Sequence, residues 1–288
     1  MSPTQPHRQR TASSTATVQR VPLTDAELAV AAAQAGAAVV RDKYGSRLTR
    51  HSKSGTDFAT DADIEAEQVI SDLLRSARPD DAFLGEEAGA AGPADAARTW
   101  LVDPLCGTLN YAVRTPLVSV NIALRSNGIV TVAASADPLS DEVFWTDGTR
   151  AYERRASIDQ PLAPSARSTL IDVNLDAPYP NSERFRAVRV LAEPEFSEAF
   201  RPRVSSTSLA LAWVAAGRRA GYLTDGQLRD SVHFASGIAL CQAAGCIVTN
   251  LHGQPLYTGV DGLLAAADEP THAALLELVA RQFAAPRP

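Results

Sequence analysis

The sequence has few cysteines, no excess of basic charge and no long apolar run, and each absence excludes a class of protein. Three cysteines among 288 residues are too few for a disulfide framework and odd in number, which indicates a reducing compartment. The net charge of -6 comes from interspersed acids and bases. It offers no basic stripe for a phosphate backbone, so we expect no nucleic-acid partner. No stretch reaches the roughly 18 apolar residues of a membrane span, so we expect no membrane partner.

The first 22 residues have the composition of a disordered tail. They are rich in Ser, Thr, Gln and Arg and lack the apolar core of a signal peptide, so we expect a cytoplasmic protein. Residues 23–155 are predicted to form an α+β half that carries the site motifs, and residues 156–288 a less regular α/β half. The sequence has no internal repeat and no long linker, so we expect the two halves to pack as one unit.

Helical and strand patterns alternate along the chain, which indicates an α/β fold. Thr24 and Glu27 fit a capping box before an Ala/Val-rich helix, and a second amphipathic helix is predicted from near Asp63 to before Pro79. Asn-Gly and Asp-Gly turns among the middle strands predict an antiparallel meander. The further predicted elements are strands at 82–84, 100–102, 118–124, 129–134, 143–145 and 247–249, and helices at 209–220, at 237–244 and from 271.

Six acidic residues stand where predicted strands end or a predicted helix begins. They are Asp57, Asp61, Asp63, Glu86, Glu87 and Asp103. Any one of them could be solvated or complement a helix dipole, but their combination with the segment after Asp103 points to a site. That segment, Asp-Pro-Leu-Cys-Gly-Thr at 103–108, places a carboxylate, a carbonyl and a glycine turn before a helix start. Such a turn offers oxygen ligands to a hard cation and amide groups to a phosphate.

These motifs resemble those of the inositol monophosphatase family in order and spacing, over roughly residues 24–283. The matching segments are Asp-Phe-Ala-Thr-Asp-Ala-Asp at 57–63, Gly-Glu-Glu at 85–87, Asp-Pro-Leu-Cys-Gly-Thr-Leu-Asn-Tyr at 103–111 and Val-His-Phe-Ala-Ser-Gly at 232–237. The resemblance implies an α/β sandwich of alternating α-β-α-β-α layers and a homodimer. It also implies Mg²⁺-dependent hydrolysis of a phosphomonoester, with a small phosphorylated or otherwise anionic metabolite as the partner.

The resemblance further implies roles for individual residues. Glu86, Asp103 and the carbonyl of Leu105 would hold a first Mg²⁺. Asp57 and Thr108 would orient the attacking water. With these residues the nucleophile side of the family's site is complete in this sequence.

Four residues are candidates for substrate binding. Gly107 and Thr108 belong to the glycine turn that would offer amide groups to the phosphate. Ser206 stands where the family has Gly-Ser-Ala before a substrate-side helix, and Asp225 lies near the position of an acid that binds sugar hydroxyls. For Ser206 and Asp225 a solvated loop is the alternative interpretation.

Two positions depart from the family pattern. Cys106 and His233 stand where the family has aspartates that bind a second metal together with Asp103. Mg²⁺ selects oxygen, so a thiol and an imidazole remove both charge and preferred ligand type. We therefore expect one Mg²⁺ site, and a second site that binds Mg²⁺ poorly or not at all.

Three interpretations of Cys106 and His233 remain open at this point. Together with Asp103 they form an oxygen, sulfur and nitrogen set that suits Zn²⁺. They could instead act as nucleophile and base, although Ala112 stands where cysteine phosphatases have an arginine. They could also be a buried thiol and a neutral histidine that fill an unused pocket.

Three functions correspond to these interpretations. The first is a phosphatase with a weakened second metal site. The second is a repurposed enzyme in which Cys106 and His233 serve a non-hydrolytic step such as cyclisation, elimination or group transfer. The third is a catalytically inactive binding or regulatory protein.

Overall fold

The structure is a computed structural model that describes residues 22–53, 57–176, 187–259 and 261–284. Residues 1–21, where the sequence predicts a disordered tail, lie outside the described residues. Among the helices in the described ranges, none is both long enough and apolar enough to cross a membrane.

The helices predicted after Thr24, from near Asp63, at 237–244 and from 271 are present with similar bounds. The capping box before the first helix is confirmed, with the amide of Glu27 donating to Oγ1 of Thr24 at 3.2 Å and the amide of Thr24 donating to Oε2 of Glu27 at 2.8 Å. In chain order the helices of the described residues are α1 (Asp25–Lys43), α2 (Asp61–Ala77), α3 (Thr108–Ala112), α4 (Ala187–Val190), α5 (Pro194–Ala199), α6 (Leu209–Ala215), α7 (Ala235–Ala244) and α8 (Glu269–Ala284).

The strands of the described ranges form three sheets. A small sheet pairs β1 with β2, an eight-stranded sheet has the order β10-β9-β8-β7-β6-β5-β3-β4, and a five-stranded sheet has the order β12-β11-β13-β15-β14. The predicted meander is confirmed, because β6 to β9 pair antiparallel in sequence order. The strands are β1 (Arg50–Ser52), β2 (Phe58–Thr60), β3 (Ala82–Gly85), β4 (Gly89–Ala91), β5 (Arg98–Cys106), β6 (Ser119–Ser126), β7 (Ile129–Asp137), β8 (Glu142–Thr146), β9 (Ala151–Arg155), β10 (Ile158–Pro161), β11 (Leu170–Val173), β12 (Arg201–Val204), β13 (Gly221–Thr224), β14 (Ile247–Thr249) and β15 (Leu263–Ala266).

The elements stack in five layers. Helices α1 and α2 pack against one face of the eight-stranded sheet, and α7 packs against the other face. Helices α6 and α7 fill the space between the two large sheets, while α4, α5 and α8 cover the far side of the five-stranded sheet. The layer order is α-β-α-β-α, which confirms the predicted layered α/β architecture.

Strand β5 shows how the eight-stranded sheet is buried on both faces. Trp100 and Val102 belong to the apolar cluster with α1 and α2, whereas Leu101 clusters with Ala235 and Ala239 of α7. Successive side chains of a strand point to opposite faces. A strand covered on both sides therefore carries a nearly continuous apolar run.

The strand predicted at 100–102 is longer than expected. It continues past Pro104 to Cys106, because the register between β5 and β6 shifts between Asp103 and Cys106. Proline has no N–H to donate, and such a shift lets the strand accommodate it. The extra residues carry Asp103 and Cys106 into the middle of the fold.

The helix predicted over 209–220 is shorter than expected and ends at Ala215. Gly217 adopts a φ of +70°, and the amide of Arg218 donates to the carbonyl of Trp213 at 2.9 Å. A glycine in the left-handed region with this backbone bond is a common helix end.

The sequence did not predict the three parallel strands β11, β12 and β13. They are four residues each, and β12 reads Arg-Pro-Arg-Val at the edge of its sheet. Charges and proline are typical of edge strands and hide the strand pattern in the sequence.

Candidate active site

The predicted site residues gather at one edge of the eight-stranded sheet. Strands β3 and β5 are parallel, with Gly85 opposite Val102, so both strands deliver their carboxyl ends to the same edge. The amide of Glu86 donates to the carbonyl of Val102 at 3.1 Å, which fixes the turn after β3 beside β5. Helix α3 begins directly after β5, and the loop before α7 brings His233 to the same edge.

Asp103 lies at the centre of the site. Its side chain is fully buried, Oδ1 accepts from the amide of Leu105 at 3.2 Å, and Oδ2 lies 2.7 Å from Nδ1 of His233. Single donor atoms of Asp103, Cys106 and His233 lie within 4.8 Å of one another. The structure therefore brings both positions that depart from the family pattern into contact with the carboxylate between them.

Glu86 faces Asp103 and His233 from the turn after β3. Its Oε2 is 4.0 Å from Nδ1 of His233. Burial, together with the negative charge of Asp103, raises the pKa of Glu86 to about 8. Burial also opposes the charge of Asp103, but the adjacent His233 outweighs it and lowers the pKa of Asp103. Two neighbouring carboxylates thus create a pocket that favours positive charge.

Lys53 supplies part of that positive charge. Its Nζ lies 2.9 Å from Oε1 of Glu86 and 2.6 Å from Oε1 of Glu87. These two carboxylates raise the pKa of Lys53 against the effect of its burial. No spacing pattern in the sequence predicts this contact, because Lys53 precedes β2 and reaches the turn after β3 only in the folded chain.

The expected pair of Asp57 and Thr108 is not the pair that the structure forms. Asp57 is exposed just before β2. The hydroxyl of Thr108 donates instead to Oδ1 of Asp63 at 2.8 Å, and Asp63 is fully buried. Asp63 is the third helical residue of α2, where its Oδ2 also accepts from the amide of Thr60 at 2.8 Å. The capping pattern Thr-x-x-Asp was the sequence signal that could have identified Asp63.

Glu67 is a structural support that sequence reasoning missed. Its buried carboxylate accepts from the amide of Glu87 at 2.9 Å and from the amide of Ala88 at 2.6 Å. A Cβ at Gly85 would lie 2.5 Å from this carboxylate. Glycine at this position lets Glu67 approach the turn and hold Glu86 in place.

Gly107 and Ser206 meet beside the start of α3. Gly107 has a φ of +93°, and a Cβ there would lie 2.7 Å from the carbonyl oxygen of Leu117 and 3.5 Å from that of Ser206. Nδ2 of Asn110 donates to the carbonyl of Ser206 at 2.7 Å. The substrate roles of Gly107, Thr108 and Ser206 stay predictions, but the three residues line one turn.

Asp225 is placed differently. It is buried, and its Oδ1 accepts from the amide of Gly226 at 2.8 Å in the loop after β13. This bond shapes the loop locally. A substrate role for Asp225 stays a prediction.

A buried polar network lies next to Cys106. Nδ2 of Asn121 donates to Oγ of Ser208 at 2.8 Å, and Oδ1 of Asn121 accepts from Ser135 at 2.9 Å and from Ser236 at 3.1 Å. Cys106 lies beside this network, because it pairs with Ser119 of β6, and Oγ of Ser119 is 3.0 Å from Oγ of Ser208. These polar side chains within the apolar strands β6 and β7 hold the starts of α6 and α7 against the sheet.

The donor atoms divide the pocket into two sides that share Asp103. We call one the oxygen side, which consists of Asp63, Glu86, the carbonyl of Leu105 and Thr108. We call the other the mixed side, which consists of Cys106 and His233. The oxygen side offers ligands for a hard cation such as Mg²⁺. The mixed side offers sulfur and nitrogen, which suit a borderline metal ion.

Comparison with known proteins gives the chain its family context. The model of the inositol monophosphatase family matches residues 23–284. An inositol-1-monophosphatase of Caulobacter vibrioides is 32% identical over 254 residues, covering 86% of this chain and 97% of that protein. The corresponding protein of Mesorhizobium japonicum is 33% identical over 264 residues, covering 88% and 95%.

The similarity extends to a relative with another name and to solved structures. Nus factor SuhB of Escherichia coli is 31% identical over 243 residues, covering 83% of this chain and 89% of that protein. The extragenic suppressor protein suhB of Bartonella henselae superimposes with a TM-score of 0.77 at 27% identity, covering 88% and 96%. Inositol monophosphatase of Anabaena gives a TM-score of 0.74 at 27% identity, covering 89% and 95%. With its five layers, the motifs at one sheet edge and matches along nearly its whole described length, the chain belongs to the inositol monophosphatase family.

Proposed function

We propose that this chain hydrolyses a small phosphomonoester with one Mg²⁺ bound at the oxygen side. The observation that carries the proposal is the position of the Thr108 hydroxyl. It donates to Oδ1 of Asp63 at 2.8 Å and lies 3.2 Å from the carbonyl oxygen of Leu105. A hydroxyl held by a buried carboxylate beside a cation ligand is suited to orient water. Membership of a phosphatase family supports the same reaction.

Glu86, Asp103 and the carbonyl of Leu105 would hold the Mg²⁺. All three offer oxygen, the ligand type that Mg²⁺ prefers, and a cation there offsets the burial and the charge repulsion that raise the pKa of Glu86. When bound, Mg²⁺ supplies a Lewis acid that withdraws charge from the phosphoryl oxygens. Lys53, at 2.9 Å from Glu86, would then turn toward Glu87 alone.

The residues of the oxygen side would prepare the attack. Because the hydroxyl of Thr108 donates its hydrogen bond to Asp63, the lone pairs of its oxygen can accept a hydrogen bond from a water molecule. That water would point a lone pair at the phosphorus. The turn at Gly107 and Ser206 would receive the phosphate group, and the positive charge of Lys53 would favour a small anionic substrate.

The mixed side is expected to bind Mg²⁺ weakly, because it lacks oxygen donors apart from Asp103. If a cation beside the leaving oxygen lowers the barrier by ~4 kcal/mol, its loss slows hydrolysis on the order of a thousandfold. We therefore expect slow turnover when Mg²⁺ is the only metal supplied.

Phosphate release from a panel of sugar, inositol and nucleotide monophosphates tests this proposal. We expect Mg²⁺-dependent release from at least one small substrate, and loss of that release in Glu86→Gln. The matched control is Glu65→Gln, which removes an exposed carboxylate from α2 and should retain activity. No release from any substrate by the folded protein, with or without Mg²⁺, would contradict the proposal and favour a binding protein.

A repurposed enzyme is the second candidate, and one contact favours it. The donor atoms of Cys106 and His233 lie within 4.8 Å of each other, and a thiol beside an imidazole is the arrangement of a nucleophile and its base. Burial and the charge of Asp103, however, raise the pKa of the Cys106 thiol, which opposes formation of a nucleophilic thiolate. Activity that is lost in Cys106→Ala but retained in Glu86→Gln would favour this candidate over metal-dependent hydrolysis.

A further inference from the structure

Three donor atoms of different chemistry converge in the pocket. Asp103 offers a carboxylate oxygen, Cys106 a sulfur and His233 a ring nitrogen, and one donor atom of each lies within 4.8 Å of the others. Within the described residues this is the one group of three or more histidine, cysteine and acidic side chains at metal-binding distance. We propose that Asp103, Cys106 and His233 form a Zn²⁺ site.

The three side chains need small movements to hold an ion. Ligand atoms around tetrahedral Zn²⁺, with bonds of roughly 2.0–2.3 Å, are about 3.3–3.8 Å apart. Oδ2 of Asp103 and Nδ1 of His233 are 2.7 Å apart, the spacing of a hydrogen bond. Side-chain movements of about 1 Å would replace that hydrogen bond by two bonds to Zn²⁺. The thiol proton of Cys106 and the proton shared by Asp103 and His233 would leave to solvent.

The surroundings orient two of the ligands. The amide of Leu105 donates to Oδ1 of Asp103 at 3.2 Å, and Oδ2 of Asp103 faces His233. Ser208 is held by Asn121 at 2.8 Å and lies 3.0 Å from Ser119, the residue of β6 that pairs with Cys106. Polar contacts behind the ligands are typical of metal sites and tune their affinity.

The group can be reached from solvent at His233. The side chain of His233 is 35% exposed, whereas that of Asp103 is fully buried. Three protein ligands with an open fourth position are typical of catalytic rather than structural zinc. Because sulfur and nitrogen select Zn²⁺ over Mg²⁺, the two sides of the pocket would bind different metals and share Asp103. This inference deepens the proposed function, but its test measures binding without activity.

Cobalt(II) and zinc titrations of the full chain, stripped of metal by a chelator, test the site. Co²⁺ should give the charge-transfer absorption of a thiolate–cobalt bond and the visible bands of a tetrahedral ion, both displaced by about one equivalent of Zn²⁺. Cys106→Ser should lose the charge-transfer absorption, and His233→Ala should weaken Zn²⁺ binding on the order of a hundredfold. An excess of Mg²⁺ should leave the spectrum unchanged.

Two further variants separate this inference from the proposed hydrolysis. Cys241→Ser is the matched control, because the sulfur of Cys241 contacts the carbonyl of Leu211 at 3.2 Å instead, and it should keep the spectrum. Glu86→Gln should also keep the spectrum while it loses Mg²⁺-dependent phosphate release. The inference is overturned if the wild-type chain takes up less than about a tenth of an equivalent of Zn²⁺, if folded Cys106→Ser keeps the charge-transfer absorption, or if Glu86→Gln abolishes it.

Discussion

The two sides of the pocket differ in what they offer a cation, although they share Asp103. The oxygen side presents carboxylate, carbonyl and hydroxyl oxygens, with Thr108 fixed to Asp63 at 2.8 Å. The mixed side presents a thiol and an imidazole, with His233 at 2.7 Å from Asp103. The contrast teaches that one strand end can support two ligand chemistries, because the last four residues of β5 include Asp103, the carbonyl of Leu105 and the thiol of Cys106.

The largest effect is expected for Asp103→Asn, which removes the charge that both sides share. Phosphate release with Mg²⁺ should fall by about a thousandfold or more, since each metal loses its common anionic ligand. Steady-state phosphate release measures the loss, and far-ultraviolet circular dichroism checks that the variant is folded. Retention of more than about a tenth of the activity would show that the two sides do not depend on Asp103.

The next largest effect is a gain, in the double variant Cys106→Asp and His233→Asp. Oxygen donors on both sides should allow a second Mg²⁺, and Mg²⁺-dependent phosphate release should rise on the order of a hundredfold or more. Each single variant should gain much less, because neighbouring ligands act together. An unchanged rate in the folded double variant would contradict the proposal that Cys106 and His233 keep Mg²⁺ from the mixed side.

Asp63→Asn and Asp57→Asn compare the two acids within the oxygen side. Asp63→Asn weakens the carboxylate that holds Thr108 and should lower the rate about a hundredfold. Asp57→Asn, at an exposed position, should change the rate less than about threefold. The ratio of the two rates, measured at saturating substrate and Mg²⁺, decides which acid orients the water. A larger loss in Asp57→Asn would reverse the assignment.

The smallest effect that still separates the sides is expected for Gly85→Ala. The new Cβ would lie 2.5 Å from the Glu67 carboxylate, so the turn that carries Glu86 should shift at a cost of about 1–3 kcal/mol in the free energy of unfolding. Mg²⁺ affinity should fall several-fold while the cobalt–thiolate absorption persists. Denaturant unfolding measures the loss of stability, and titrations measure the affinities for Mg²⁺ and Co²⁺. An equal loss of both affinities would contradict the proposal that the two sides bind metals separately.

The sequence predicted the fold more completely than the site. Capping at Thr24, the period of α2 and the Asn-Gly turn at 127–128 are local signals, and the elements they predict are present. The resemblance supplied the layer order, which no local pattern contains. The short parallel strands β11, β12 and β13 were missed because four residues are too few to show periodicity, and in the edge strand β12 charges and proline hide the pattern further.

The site shows where sequence reasoning ends. Asp57 and Asp63 belong to one motif, and although the capping pattern Thr-x-x-Asp marks Asp63, its burial and its hydrogen bond with Thr108 appear only in the folded chain. The contact of Lys53 with Glu86 joins two turns that are distant in sequence. Glu67 lies within the helical pattern of α2, so nothing in the sequence indicated that its carboxylate accepts from the turn after β3.

The most direct test of two different metal sites is anomalous diffraction from crystals of the wild-type chain soaked in Mg²⁺ and Zn²⁺ together. Data collected on both sides of the zinc absorption edge locate zinc independently of magnesium. The account predicts a zinc peak bonded to the sulfur of Cys106 and a ring nitrogen of His233, with a lighter ion between Glu86 and the carbonyl of Leu105. A zinc peak on the oxygen side alone, with Cys106 and His233 unligated, would contradict it.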